Sequence, residues 1–238
     1  MQGADLPLDK EGSRIREMFS RVAPRYDLLN HLLSASLDRL WRRRLAAALR
    51  LPAGSRVLDL CAGTGDQAQA LRRLGYRVVA ADFCLPMLTL AQPKFARDGG
   101  PRPSPLQADA LALPFPAASF DGATVSFGLR NVADLDRALA ELLRVVRPGG
   151  ELGVLEFTAP ARQPLRGLYL FYFQRLLPAL GRAVSGETRA YAYLPESVLA
   201  FPQRESFATR LADRGFAGTT WRSLSGGILA LYLAKRPA

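Results

Sequence analysis

Histidine is almost missing from this 238-residue chain, which holds a single one, His31. With two cysteines and no cluster of His, Cys or Asp at ligand spacing, the sequence carries no metal-site pattern. Cys61 and Cys84 both fall in apolar segments, which argues against a disulfide framework and fits a reducing, cytoplasmic setting. Lysine is scarce, standing only at positions 10, 94 and 235, so arginine supplies most of the positive charge. No basic block interleaved with aromatics is present to form a nucleic-acid groove, and no nucleic-acid partner is expected. The opening MQGADLPLDKEG has no apolar core of a signal peptide. The most apolar run, LRGLYLFYFQRLLPALG (165–181), is interrupted by Arg166, Arg175 and Pro178, too short and too charged for a membrane span. No repeat, low-complexity tract or long linker divides the chain, so one domain over 1–238 is expected.

What the chain does have is a 49% hydrophobic composition and a net charge of +11. The first permits a sizeable core. The second points to an anionic partner, nucleic acid or an acidic membrane surface, although scattered arginines fit biased codon usage as well. Residues 9–50 read as helical, with Ile15, Met18, Phe19 and Val22 on one face. Pro24 is expected to break the pattern before Leu37, Leu40, Trp41 and Leu45 resume it. Strand and helix patterns then alternate: RVLDLC, DQAQALRRLG, YRVVAADF, a helix near 86–96, PLQADA, FDGATVSFG, DLDRALAELLRVVRPGG and ELGVLEFT. Such alternation predicts an α/β fold with a mostly parallel sheet. An aromatic insertion over 163–200 follows, then a helix at FATRLADRG. Two strand-like runs joined by Ser-Gly-Gly close the chain as an antiparallel hairpin.

The stretch RVLDLCAGTGDQAQAL carries the first chemical signal. Gly63, Gly65 and Ala68 follow a strand in the loose dinucleotide pattern, and Asp82 ends the next strand, where a ribose-binding acid belongs. A pyrophosphate needs bare N–H groups and the positive end of a helix. Here Asp59 ends the strand and Asp66 opens the helix, and both would repel it. A cationic ligand such as S-adenosylmethionine (SAM), with a sulfonium and an ammonium, suits that turn better than NAD. The glycines allow the backbone to approach the ligand closely. Asp109 and Ala110 follow the third strand, where an adenine amino group would lie, and Ser126 ends the fourth on the same rim.

Further segments are more specific. FGLRNVADLDRAL, RVVRPGGELGVLEF, YAYLPESVLAFP, LSGGILALYLAKR and the N-terminal MFSRVAPRYDLLN resemble the UbiE/MenG family, the C-methyltransferases of menaquinone and ubiquinone biosynthesis. The resemblance runs from about Glu17 to the C-terminus. It implies a Rossmann-like class I SAM-dependent methyltransferase fold. That fold has a mostly parallel seven-stranded sheet with a C-terminal antiparallel hairpin and an N-terminal helical extension (1–50). It carries SAM contacts over to Thr64, Asp82, Asp109, Ala110 and Ser126, which Asp59, Gly63 and Gly65 complete from the reading of the turn. The family's Arg-Asn pair falls on Arg130 and Asn131, expected to be catalytic. Two departures stand out: Cys61-Ala62 replaces the usual Ala-Cys order, and Ser36, Asp38 and Arg39 stand where the family has a Gly and a His-Arg pair.

The implied reaction moves a methyl group to a ring carbon of a reduced polyprenyl quinone, demethylmenaquinol or a benzoquinol precursor of ubiquinone. A phenol ionises near pH 10, so the site must favour the phenolate. Arg130 can act as a fixed cation or through a water, but stays protonated and is a poor base. Asn131 can hold the ring oxygen, and Tyr26, Tyr191 and Tyr193 are further polar candidates. The insertion either meets membrane phosphates or packs as an ordinary lid. A methyltransferase acting on RNA, a non-catalytic binding protein and a nicotinamide oxidoreductase remain alternatives, and self-association is open.

Overall fold

The computed structural model describes residues 12–34, 36–97, 101–172, 175 and 188–238. Seven strands form a single sheet in the order β3-β2-β1-β4-β5-β7-β6. They are β1 (Arg56–Leu60), β2 (Arg77–Asp82), β3 (Ser104–Gln107), β4 (Phe120–Ser126), β5 (Val146–Phe157), β6 (Ala217–Leu224) and β7 (Leu229–Lys235). The five strands β1 to β5 run parallel, while β7 pairs antiparallel with both β5 and β6. The chain winds outward from β1 to β3, then restarts at β4 on the other side of β1. That reversal opens a crevice at the carboxyl ends of β1 and β4, the place where open α/β sheets bind ligands.

The helices are α1 (Gly12–Leu33), α2 (Leu37–Ala48), α3 (Asp66–Arg72), α4 (Leu85–Arg97), α5 (Leu135–Val145), α6 (Leu165–Phe171), α7 (Thr188–Ala200) and α8 (Glu205–Asp213). β1 is buried on both faces, because its residues alternate between two cores. Leu58 and Leu60 join Phe120, Leu139, Leu142 and Phe207 on one side. Val57 joins Leu71, Val78 and Phe95 on the other. A strand with core on both sides has no solvent face, which is why Val57, Leu58 and Leu60 are all apolar and why even Asp59 is buried.

Several boundaries differ from the sequence reading. Pro24 does not break α1, which stays helical from Gly12 to Leu33; the interruption falls instead at Ser36, whose φ of 60° is left-handed. Leu37 and Leu40 are exposed, and α2 turns Asp38, Trp41, Arg42, Leu45 and Ala46 inward. The buried face is thus partly polar, which a purely apolar periodicity cannot register. β3 ends at Gln107 rather than Ala110, because Asp109 turns the chain and bridges to Ala112. β5 begins at Val146, so Arg-Pro-Gly-Gly belongs to the strand rather than to the end of α5. Of the 163–200 insertion, residues 173, 174 and 176–187 lie outside the described residues. Among the described residues no helix is long and apolar enough to cross a membrane.

Candidate functional site

One cavity occupies the crevice. Cys61 to Thr64 and Asp66 form its floor, Asp82 and Phe83 one wall, Asp109 to Leu111 the next, and Ser126 to Gly128 with Asn131 the far side. α1 closes it from above with Ile15, Arg16, Phe19 and Tyr26. The tertiary fold therefore brings Gly63, Thr64, Asp82, Asp109, Ala110, Ser126 and Asn131 around one space, although they are spread over nearly seventy positions of the chain.

Asp82 is pinned at its place. Its Oδ2 accepts from the Gly63 N–H at 2.8 Å and its Oδ1 from the Cys84 N–H at 2.8 Å. Burial pushes its pKa up, and these backbone donors work against that shift. A carboxylate held by two N–H groups keeps lone pairs for ligand hydroxyls. Asp109 accepts from the Leu111 N–H at 2.9 Å, which shapes the turn that presents Ala110. Ser126 donates to Gln67 Oε1 at 3.2 Å. Gln67 is fully buried and went unnoticed in the sequence, where it looks like any helix glutamine.

The two acids of the turn divide their work. Asp66 lines the cavity. Asp59 does not: it lies wholly buried behind the wall and accepts from Thr124 Oγ1 at 3.0 Å across the β1–β4 pairing. Burial raises its pKa to about 7, with Arg42 and Thr124 opposing the shift. Gly65 also stands behind the wall. Its φ is 84°, and an added Cβ would lie 2.5 Å from the Phe95 ring, so it serves the packing of α3 on α4.

A polar network ties α1 to the turn. Thr64 Oγ1 donates to Asp27 at 2.5 Å, and Lys94 Nζ lies 2.5 Å from Asp27 and 2.8 Å from Asp66. His31 Nδ1 meets Asp38 at 3.0 Å, while its Nε2 lies 3.9 Å from Asp66. Burial disfavours the Asp66 charge, but Arg42, Lys94 and His31 together outweigh it and hold its pKa below the ordinary carboxylate range. His31, Asp38 and Asp66 bring potential ligand atoms within 4.8 Å of one another. Lys94 already supplies a cation there. This grouping depends on contacts between α1, α2, α3 and α4 that no spacing along the chain announces.

Arg130 and Asn131 sit on the short 3₁₀ turn after β4. They face different surroundings. Asn131 lines the cavity; its Nδ2 donates to the Phe127 carbonyl at 3.4 Å, and among the described residues its Oδ1 has no partner. Arg130 is not on the cavity wall. It is buried, with Nη1 at 3.0 Å from Glu156 Oε2 and 2.5 Å from the Phe127 carbonyl, and among the described residues its Nε has no acceptor. Glu156 is fully buried at the end of β5. Its role was missed because EF at a strand end resembles any exposed acid. Tyr26 lines the cavity and Tyr193 stands near Arg130, where burial pushes its pKa up to about 12. The Tyr191 side chain lies outside the described residues. Cys61 and Phe127, on facing rims, both hold left-handed backbones with φ of 57° and 62°. Such strain in non-glycine residues collects at functional sites.

A doubly wound sheet with this turn, an acid at the end of β2 and a second acid after β3 is that of a class I methyltransferase. A solved SAM-dependent methyltransferase from Thermotoga maritima, described as a possible histamine N-methyltransferase, shares the fold. Its TM-score is 0.64 at 18% identity, over 93% of this chain and 99% of that one. The model of the ubiE/COQ5 methyltransferase family matches residues 8–236, and the chain belongs to that family. A demethylmenaquinone methyltransferase of Parafrankia sp. is 46% identical over 245 residues, covering 97% of this chain and 96% of the relative. Another from Thermus thermophilus is 49% identical over 222 residues, covering 92% and 100%.

Proposed function

We propose that this protein methylates a ring carbon of a reduced polyprenyl quinone, converting demethylmenaquinol to menaquinol, with SAM as the methyl donor. The observation that carries the reading is a single cavity joining the glycine turn and Asp82 to Asn131. It rests as well on family membership and on relatives named for this reaction. The residues fit the cofactor by charge: three carboxylates, Asp66, Asp82 and Asp109, line the cavity, which suits a sulfonium and opposes a pyrophosphate. When bound, SAM supplies an electrophilic methyl group on sulfur.

Asp82 holds the ribose hydroxyls, and the Asp109–Ala110 turn receives the adenine. Thr64, Gly63 and Ser126 contact the remainder, with Asp59 and Gly65 supporting the turn from behind. Asn131 Oδ1 accepts a hydrogen bond from a ring hydroxyl and orients the quinol. Arg130 lies behind it as a fixed cation, favouring the phenolate that makes the adjacent carbon nucleophilic. Glu156 shares that charge and keeps the guanidinium in place. Arg130 remains protonated, so a water takes the phenolic proton; once the ring carbon is methylated it gives up its own proton and the oxygen regains one, so one proton leaves overall. With SAM in the cavity, the residues on its walls would hold the quinol ring against the methyl donor, and that positioning would supply much of the rate.

The isoprenoid tail places the substrate in a membrane, and the exposed Leu168 and Phe171 of α6, flanked by exposed Arg162 and Arg166, form the surface that meets it. Mass spectrometry of protein incubated with SAM and reduced demethylmenaquinol tests the function. A reduction-dependent gain of one methylene unit is expected. A gain only on a demethylated ubiquinol precursor would reassign the substrate, and no gain on either would defeat the reading.

A further inference from the structure

Two arginines line the cavity, and they differ in how they are satisfied. Arg16 stacks its guanidinium 4.0 Å above the Phe83 ring and is otherwise exposed. Arg42, on the inner face of α2, is only 8% exposed. Its guanidinium sits 5.1 Å from the centre of the Phe127 ring. Among the described residues it makes no hydrogen bond or ion pair, and its Nε is buried with no acceptor. A buried cation without a partner costs several kcal/mol. Asp59 and Asp66 lie close enough for Arg42 to lower both their pKa values, which offsets part of that cost. Neither carboxylate closes on it. The guanidinium therefore stands free to receive an anion from the cavity.

The charge of the walls narrows which anion. Asp66, Asp82 and Asp109 line the same space, so a polyanion would meet three carboxylates against two arginines, of which Arg16 is exposed and stacked on Phe83. A ligand that is cationic elsewhere and carries one carboxylate satisfies both. Position agrees: Arg42 stands 5.1 Å from the Phe127 ring and near Asp66 at the glycine turn.

Resting on the reading of SAM as cofactor, we propose that Arg42 binds the α-carboxylate of its methionine portion. The planar guanidinium suits a two-point grip on a carboxylate, which a lysine cannot reproduce. Arg42 is then a cofactor-binding residue that also sets which sulfonium is accepted.

Calorimetric binding of SAM and of its decarboxylated analogue to the full chain tests this. The wild type should bind SAM about 10- to 100-fold more tightly than the decarboxylated sulfonium. Arg42→Met should lose that preference, with SAM weakened and the analogue unchanged. Equal binding of the two ligands by the wild type, or an undiminished preference in Arg42→Met, overturns the proposal. Should Arg42→Met fail to fold, Arg42→Lys replaces it: a preference reduced several-fold supports the grip, and an unchanged one overturns it. A wild type that binds neither sulfonium nor S-adenosylhomocysteine fails at the cofactor reading itself, a result distinct from binding without preference.

Discussion

At the scale of single residues, two buried acids make opposite predictions. Glu156 holds the Arg130 guanidinium at 3.0 Å with both side chains almost fully buried. Glu156→Ala strands a cation, and urea unfolding should show a loss of about 3–5 kcal/mol. The double change Glu156→Leu with Arg130→Met should recover most of that stability while abolishing methyl transfer. Asp59 behaves differently. Its pKa rises from 3.8 to about 7 on folding, chiefly through burial. The folded protein holds a proton that the unfolded chain has released, so stability from this group is complete below the unfolded value and declines as pH rises toward 7. Compared with Asp59→Asn, the wild type should lose stability between pH 5 and 7, by a slope approaching about 1.4 kcal/mol per pH unit. Parallel slopes for the two proteins would contradict the shift. Both acids were legible only in part: Asp59 was visible as a member of the glycine turn, but its position behind the wall depends on the pairing of β1 with β4.

At the scale of elements, the turn between β1 and α3 is the most constrained piece. Gly65 has a φ of 84°, and a methyl group there would press on Phe95 of α4. Gly65→Ala combines a strained backbone with overpacking and should cost about 2–4 kcal/mol in thermal or urea unfolding. The order of elements was readable because helix and strand periods alternate cleanly from Arg56 onward. The ends were not. α1 passes Pro24 without interruption, and β5 takes up the Pro-Gly-Gly that looks like a helix stop. In the second case pairing decides: Val146 pairs with Phe120, and Glu151 with both Gly122 and Lys235, so the segment between them stays in the sheet.

At the scale of the molecule, the proposed membrane contact makes a prediction that combines charge with exposed apolar surface. The net charge of +11 favours an anionic surface, and α6 exposes Leu168 at 66% and Phe171 at 58% beside Arg162 and Arg166. Co-sedimentation with vesicles containing phosphatidylglycerol should exceed that with neutral phosphatidylcholine and fall as salt rises. Leu168→Ser with Phe171→Ser should weaken it about 10-fold or more, since each removes a large buried-on-binding side chain. Binding indifferent to lipid charge and to these changes would leave α6 as a simple lid.

The sequence by itself determined the alternation of strands and helices, the glycine turn, the acid that ends β2 and the one that follows β3, and the family resemblance. Each rests on neighbours along the chain: a period of two or 3.6, a turn needing positive φ, a motif of adjacent residues. Only the tertiary structure decided which of those residues face the cavity. It placed Asp59 and Gly65 behind the wall and paired Arg130 with Glu156. It also linked Asp27, Lys94 and Asp66 across α1, α4 and α3, and turned Arg42 inward with no hydrogen-bond or ion-pair partner among the described residues. These outcomes depend on burial and on contacts between segments far apart in the chain, where the cost of an unpaired buried charge is set by whatever the fold brings beside it.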